Sequence, residues 1–84
     1  MLSVSVISAE ATLFEGQATA VIAPAFDGEV GILTNHAPMI TALGTGTLRI
    51  EDGGSTRRFS VAGGFLQVVD NQVRVVTEQA SISR

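Results

Sequence analysis

The sequence predicts an all-β fold, an antiparallel β-sandwich of about ten short strands. Apolar and polar residues alternate with a period of two, which is typical of strands that bury one face. Turn residues, mostly glycine, asparagine and aspartate, separate these runs at short intervals. No window carries the apolar stripe of a helix, and Ala37–Leu43 is long enough for one or two helical turns at most.

The alternating runs also predict the core. In the first run Ser3 and Ser5 alternate with apolar residues, so the apolar residues lie on one face. The run that contains Arg74 is apolar on more than one side. The residues expected to face the core are Leu2, Val4, Val6, Val21, Leu48, Ile50, Phe59, Val61, Leu66, Val68, Val73 and Val75.

Four short segments predict the turns. Asp52–Ser55 reads as a hairpin loop, and Asp70-Asn71 as a second one, because Asp and Asn tolerate left-handed backbone. Gly63-Gly64 allows a tight turn or a bulge. Gly44–Gly46 precedes a further strand.

Length and composition restrict the class of protein. We expect residues 1–84 to form one domain, because 84 residues make only a modest core. The net charge of −3 and the absence of lysine argue against nucleic-acid binding, since Arg57-Arg58 is the only basic cluster. We interpret one of these arginines as a solvated strand residue and the other as flanking the hairpin; gripping an acidic partner is the alternative. No apolar run approaches the roughly 20 residues that a membrane-spanning helix needs.

Motifs for catalysis or cofactor binding are weak. His36 is the only imidazole, the chain has no cysteine, and scattered carboxylates make a poor metal site. A phosphate loop requires a lysine that this chain lacks. We therefore expect no catalytic residue, no metal and no cofactor, and we interpret His36 as a loop histidine whose ring bonds the backbone or packs on Pro38.

Four blocks of sequence resemble the N-terminal β-sandwich domain of the ε subunit of F-type ATP synthase, called δ in mitochondria. The resemblance covers nearly the whole chain in order. The blocks are V-I-S-A-E-A-T-L-F-E-G (Val6–Gly16), D-G-E-V-G-I-L-T-N-H-A-P (Asp27–Pro38), G-T-L-R-I (Gly46–Ile50) and F-S-V-A-G-G-F-L-Q-V-V-D-N-Q-V-R-V-V-T-E-Q-A (Phe59–Ala80).

The chain also departs from the family pattern. Thr34 replaces a common proline, and Asn35 replaces the commoner glycine but can adopt the same positive φ. The helical hairpin that usually follows the sandwich, and that binds ATP in some members, is absent from these 84 residues. Natural absence and truncation both remain open. If the short form is native, we expect a subunit that couples rotation without inhibiting hydrolysis and that binds no nucleotide.

The resemblance implies a non-catalytic rotor subunit that binds γ, rests on the polar loops of the c ring and couples ion-driven rotation to ATP synthesis. It implies a peripheral position at the cytoplasmic face of a bacterial inner membrane, or alternatively at the stromal face of a thylakoid. By matching positions to the motif, we expect γ contacts from Ser8, Glu10, His36, Ala37, Pro38 and Thr41. We expect c-ring contacts from Asp27, Gly28, Glu29 and Val30, with Glu29 at a glycine-flanked loop tip.

Two other interpretations remain open at this stage. The chain could be a stand-alone β-sandwich interaction module unrelated to ATP synthase. It could also be a small enzyme that uses His36.

Overall fold

The computed structural model describes residues 1–83, which form eight strands and no helix. The prediction of an all-β fold is confirmed, with eight strands in place of about ten. The strands are β1 (Leu2–Ser8), β2 (Thr12–Ala18), β3 (Ala20–Ala25), β4 (Gly28–Leu33), β5 (Met39–Ala42), β6 (Thr45–Asp52), β7 (Ser55–Val69) and β8 (Gln72–Ser83).

The strands form two layers that share the long β7–β8 hairpin. Along the sheet the order is β2-β1-β8-β7-β6-β3-β4, and β5 also pairs with β7. The first part of β7 pairs with β6 and its last part with β5. Strand β8 pairs with β1 along its first half only. Layer 1 therefore contains β2, β1, the first half of β8, the end of β7 and β5. Layer 2 contains β4, β3, β6, the start of β7 and the second half of β8.

The strand count is lower than predicted because β7 continues through Gly63-Gly64. Both glycines have positive φ, 74° and 103°, and pairing with β8 resumes in the same register on either side of them. A residue with no Cβ tolerates this conformation, so the strand bends from one layer into the other without ending. The two glycines mark a bend inside one strand, whereas the sequence predicted a turn or a bulge.

The pairing of β1 with β8 is parallel, which corrects the expectation of a wholly antiparallel sandwich. Ser3 lies opposite Gln72 and Ser8 opposite Thr77. Parallel neighbours require a long crossover connection, and here almost the entire domain lies between the two strands. Local alternation carries no signal for a pairing between strands so far apart in the chain.

The predicted hairpin turns are confirmed. Gly53-Gly54 and Asp70-Asn71 form two-residue loops, and all four residues have positive φ. Such loops match the twist of antiparallel strands. The segment Ala37–Leu43 stays within the predicted limit of one or two helical turns and contains none: Met39–Ala42 is strand β5, and Leu43 forms a bridge to Ala25.

The core between the layers contains all twelve residues that the sequence predicted to be inward. An edge-to-face contact between Phe14 on β2 and Phe59 on β7, with ring centroids 6.4 Å apart, joins the two layers. Four further apolar residues are buried that the alternation did not predict, namely Ala18, Ala23, Ile32 and Leu43. The alanines give a weak apolar signal, and glycines around Ile32 hide its alternation.

Candidate interaction surface

The predicted c-ring group lies at the β3–β4 hairpin, but its geometry differs from the expectation. Glu29 is a residue of β4 paired with Pro24, and the turn itself is Phe26-Asp27. The Glu29 carboxylate lies 3.7 Å from the guanidinium of Arg49 on β6. Glu29 is therefore a strand residue with a cation beside it, where the sequence predicted a free charge at a loop tip. Both side chains are exposed, so the pair contributes little to stability.

Phe26 makes this hairpin end apolar as well as acidic. Its side chain is 71% exposed and is followed by Asp27 and by Gly28, whose φ is 131°. The Phe26 amide donates to the carbonyl of Ala42 on β5 at 3.2 Å, which ties the hairpin end to layer 1. Sequence reasoning missed Phe26, although an aromatic residue beside a turn aspartate was a usable signal. Val30 lies further along β4 and packs partly against the core.

His36 lies in the loop that follows β4, beyond the opposite end of that strand. Its backbone amide donates to the Leu33 carbonyl at 3.1 Å. Its ring Nδ1 lies 2.7 Å from the Ala37 carbonyl, and because a carbonyl only accepts, Nδ1 carries the proton. This is the backbone-bonded loop histidine that the sequence indicated. Ala37 and Pro38 are exposed beside it.

An asparagine pair holds this loop against the β7–β8 turn. The Asn35 amide donates to Asn71 Oδ1 at 2.6 Å, and Asn71 Nδ2 donates to Asn35 Oδ1 at 3.2 Å. Both residues have positive φ, 68° and 62°. The Asn71 carbonyl in turn accepts from the Ser3 amide at 2.8 Å. The His36–Pro38 loop is therefore fixed beside the start of β1.

The structure does not bring the six predicted γ contacts into one cluster. Ser8 ends β1, about 20 Å from its start given the rise per strand residue. The Ser8 hydroxyl accepts from the amides of Glu10 and Ala11, both at 3.3 Å, and so closes the β1–β2 turn. Thr41 lies on β5 opposite the buried Leu66 and is itself half-buried. The outward residues of β5 are instead Ile40 and Ala42, which sequence reasoning missed.

The outer side of layer 1 carries a row of apolar side chains. Cross-strand register places Ile7 opposite Val76, Val76 opposite Phe65, and Phe65 opposite Ala42. Directly opposed side chains on neighbouring strands lie within contact distance, so this row is continuous across four strands. Ile40 lies two residues before Ala42 on β5, on the same face, and is 68% exposed. Phe65 is 38% exposed. We call these five residues, with the exposed Val69, the apolar face.

The apolar face suggests a binding domain. Contiguous exposed apolar surface on a small domain is typical of a site that binds another protein. The signal existed in the sequence, because the run around Arg74 is apolar on both sides of the strand. Residues 1–83 contain no group of three His, Cys, Asp or Glu residues that could hold a metal ion. In that same part of the chain, no helix has the length and hydropathy to cross a membrane.

The fold and this surface define a small β-sandwich of the protein-binding class. The family model described as the β-sandwich domain of the ATP synthase delta/epsilon chain matches residues 1–83. The chain belongs to this family, which confirms the resemblance and argues against an unrelated stand-alone module.

Similar proteins agree with the family assignment. The ATP synthase epsilon chain of Leptospira borgpetersenii is 42% identical over 81 residues, which are 96% of this chain and 64% of that protein. The epsilon chain of Desulforamulus reducens is 40% identical over 75 residues, 89% of this chain and 57% of that protein. The chain thus spans less than two thirds of the length of these relatives.

Solved structures share the fold. A chain in the cryo-EM structure of the Euglena gracilis mitochondrial ATP synthase superposes with a TM-score of 0.90 at 24% identity, covering 96% of this chain and 52% of that chain. A chain of the Tetrahymena thermophila mitochondrial ATP synthase central stalk and c-ring gives 0.79 at 17% identity, with 95% of this chain and 65% of that chain covered.

Proposed function

We propose that this chain is the β-sandwich part of a non-catalytic central-stalk subunit of an F-type ATP synthase. It binds γ, rests on the c-ring loops and helps transmit ion-driven rotation to the catalytic head. The observation that carries the proposal is the family match over residues 1–83. Relatives at about 40% identity are ATP synthase epsilon chains from bacteria. A peripheral position at the cytoplasmic face of a bacterial membrane is consistent with these relatives.

The apolar face is the surface best suited to γ. Its aromatic residue, Phe65, lies between Val76 and Ala42 in the centre of the row. Binding energy at protein interfaces concentrates in such central, well-packed aromatic side chains. Low charge elsewhere in the chain also suits a domain that remains in a complex.

The His36–Pro38 loop supplies a second, rigid γ contact. Pro38 fixes its own φ and restricts Ala37, and the Asn35–Asn71 pair fixes the loop to the β7–β8 turn. A pre-ordered loop loses little conformational entropy on binding. Ser8 and Glu10 then lie toward the rim of the γ contact, whereas Thr41 faces inward between the contact residues Ile40 and Ala42.

The β3–β4 hairpin end is the proposed c-ring contact. Asp27 and Glu29 offer charge, Gly28 allows close backbone approach, and Val30 anchors the strand to the core. The exposed Phe26 adds an apolar contact beside them. A sandwich with two layers and a shared hairpin is stiff, which is what transmission of torque requires.

Two matched isoleucine variants test the γ assignment. Ile40 on the apolar face is 68% exposed, and Ile82 on the second half of β8, outside that face, is 76% exposed. We expect Ile40→Asp to abolish binding to purified γ in a calorimetric titration and Ile82→Asp to leave it nearly unchanged. Equal effects of the two variants would reject this face. No binding of the unmodified chain to γ would reject the proposed function itself.

The enzyme interpretation centres on His36 and has a separate test. ATP synthesis by membranes that contain a His36→Ala variant should persist, because a backbone-bonded histidine in a coupling subunit takes part in no bond chemistry. Complete loss of synthesis with γ binding intact would support a chemical role instead.

A further inference from the structure

We propose that Arg74, at the centre of the outer side of layer 1, pairs with a carboxylate of the γ subunit and determines which γ surface the apolar face accepts. This inference rests on the proposed binding of γ. Arg74 lies on β8 with Ser5 on one side and Gln67 on the other, and it is exposed. Its neighbours on both flanking strands are therefore neutral.

Arg74 lacks a carboxylate partner within residues 1–82. The ion pair in that part of the chain is Glu29–Arg49, on layer 2. Glu15 is opposite Ser5 on β2, two strands away from Arg74, or about 10 Å at the usual strand spacing. Glu78 follows on β8, and its carboxylate lies over Gly63 at the bend. The guanidinium is thus available to a partner.

Its position makes this cation decisive for binding. The row from Ile7 to Ala42 crosses β8 two residues after Arg74. Val69 lies on the other side of Arg74, opposite the residue two positions before it. A partner that covers both apolar groups also covers the guanidinium between them. Burial of an unpaired charge is strongly unfavourable, whereas a carboxylate in bidentate contact compensates for the lost water. A γ surface without that carboxylate is therefore rejected, which gives specificity by exclusion.

The chemistry favours a protein carboxylate over an anionic lipid. Binding to acidic membranes uses clusters of about four to eight basic residues near one another. Arg74 is a single cation on a surface that is otherwise neutral or apolar apart from Glu15 on β2, in a chain with net charge −3. One planar guanidinium matches one carboxylate, and Arg is the residue that presents this geometry best.

Four variants test the pairing through the dissociation constant for γ and its salt dependence. Arg74→Glu and Arg74→Gln are compared with Arg58→Glu and Arg58→Gln, because Arg58 is an exposed strand arginine on the outer side of layer 2. We expect Arg74→Glu to weaken binding about 100-fold and Arg74→Gln about 10-fold, as loss of a desolvated charge partner does. The Arg58 variants should change binding less than about 3-fold, as rim charges do.

A charge-reversal screen on γ completes the test. Single Lys substitutions at the Asp and Glu residues of γ should include one that restores binding of Arg74→Glu to within about 10-fold of the unmodified pair. Wild-type affinity of Arg74→Glu, or no rescue at any γ position, would overturn the pairing. If Arg74→Glu does not fold, the dissociation constant of Arg74→Gln for γ and its salt dependence test the pairing instead. If neither differs from that of the unmodified chain, the pairing is overturned. Failure of the unmodified chain to bind γ would instead overturn the proposed function.

Discussion

Replacement of Gly64 by alanine should strongly destabilise the domain, because this residue lets β7 bend from one layer into the other. Its φ is 103°, a conformation that residues with a Cβ rarely adopt. A Cβ built there would collide with the Val76 carbonyl oxygen and lie 2.7 Å from Thr77 Cα. Both atoms belong to the backbone of β8, so neither can move without breaking strand pairing.

The expected magnitude combines two effects. The strained φ costs about 1–3 kcal/mol, and the collision costs about 1–3 kcal/mol as overpacking does. A domain of this size has a total stability of about 4–13 kcal/mol. A loss of about 2 kcal/mol already lowers the melting temperature by roughly 10 °C, since each kcal/mol corresponds to about 4–8 °C.

Three other glycines separate the two effects. Gly46 has ordinary φ, but a Cβ there would lie 2.9 Å from Pro24 Cβ, so Gly46→Ala measures crowding alone. Gly53 has a φ of 56° and open space around it, so Gly53→Ala measures conformational strain alone. Gly31 has neither problem. Gly31→Ala should raise the free energy of unfolding by about 0.4–1 kcal/mol, because alanine lowers the conformational entropy of the unfolded chain.

Urea denaturation followed by far-ultraviolet circular dichroism measures all four variants, since the chain has no Trp or Tyr for fluorescence. The expected order of stability is Gly31→Ala, then Gly53→Ala and Gly46→Ala, then Gly64→Ala. A Gly64→Ala variant no less stable than Gly53→Ala would refute the argument that β7 packs on β8 without room for a Cβ.

Three further predictions concern the contact regions. Asn71→Asp keeps an acceptor for the Asn35 amide but places negative charge against Asn35 Oδ1. It should lower the unfolding free energy by about 1–2 kcal/mol, and by more than Asn71→Gly does. Equal losses of unfolding free energy for the two variants in urea titrations would contradict the reciprocal bonds. Glu29→Gln should lower the free energy of unfolding by at most about 1 kcal/mol and weaken coupling only mildly, because its ion pair with Arg49 is exposed; a large loss of ATP-driven ion pumping would show that Glu29 has another partner. Glu29→Cys should form disulfides with cysteines in c-ring loops and His36→Cys with cysteines in γ, as seen on non-reducing gels; crosslinks only to catalytic-head subunits would show that the assigned orientation is wrong.

The site was only partly predictable from sequence. The family motif places Glu29 and His36 in one short stretch, yet β4 separates them, so they lie at opposite ends of a strand. The motif also contains no sign that Asn35 bonds Asn71, because the two residues are 36 positions apart and meet only when two turns come together. The sequence shows that Phe65 is apolar. It does not show that Phe65 belongs to an apolar surface, because that surface also requires its neighbours on β5 and β8.

The sequence by itself determined most of the side chains that face inward and most of the turns at which the chain reverses direction. Alternation is a local property, since successive strand residues point to opposite faces, and so the twelve positions that it predicted to be inward, among them Leu2 and Val75, are all buried. Turns such as Asp70-Asn71 are also local, because they depend on residues that tolerate positive φ. The tertiary structure alone decided which strands that are distant in the sequence are neighbours. The parallel pairing of β1 with β8, the continuous β7 and the apolar row across four strands all depend on contacts between distant segments. Those contacts form only when the free energy of burying both layers together exceeds the entropy lost on closing the long intervening chain.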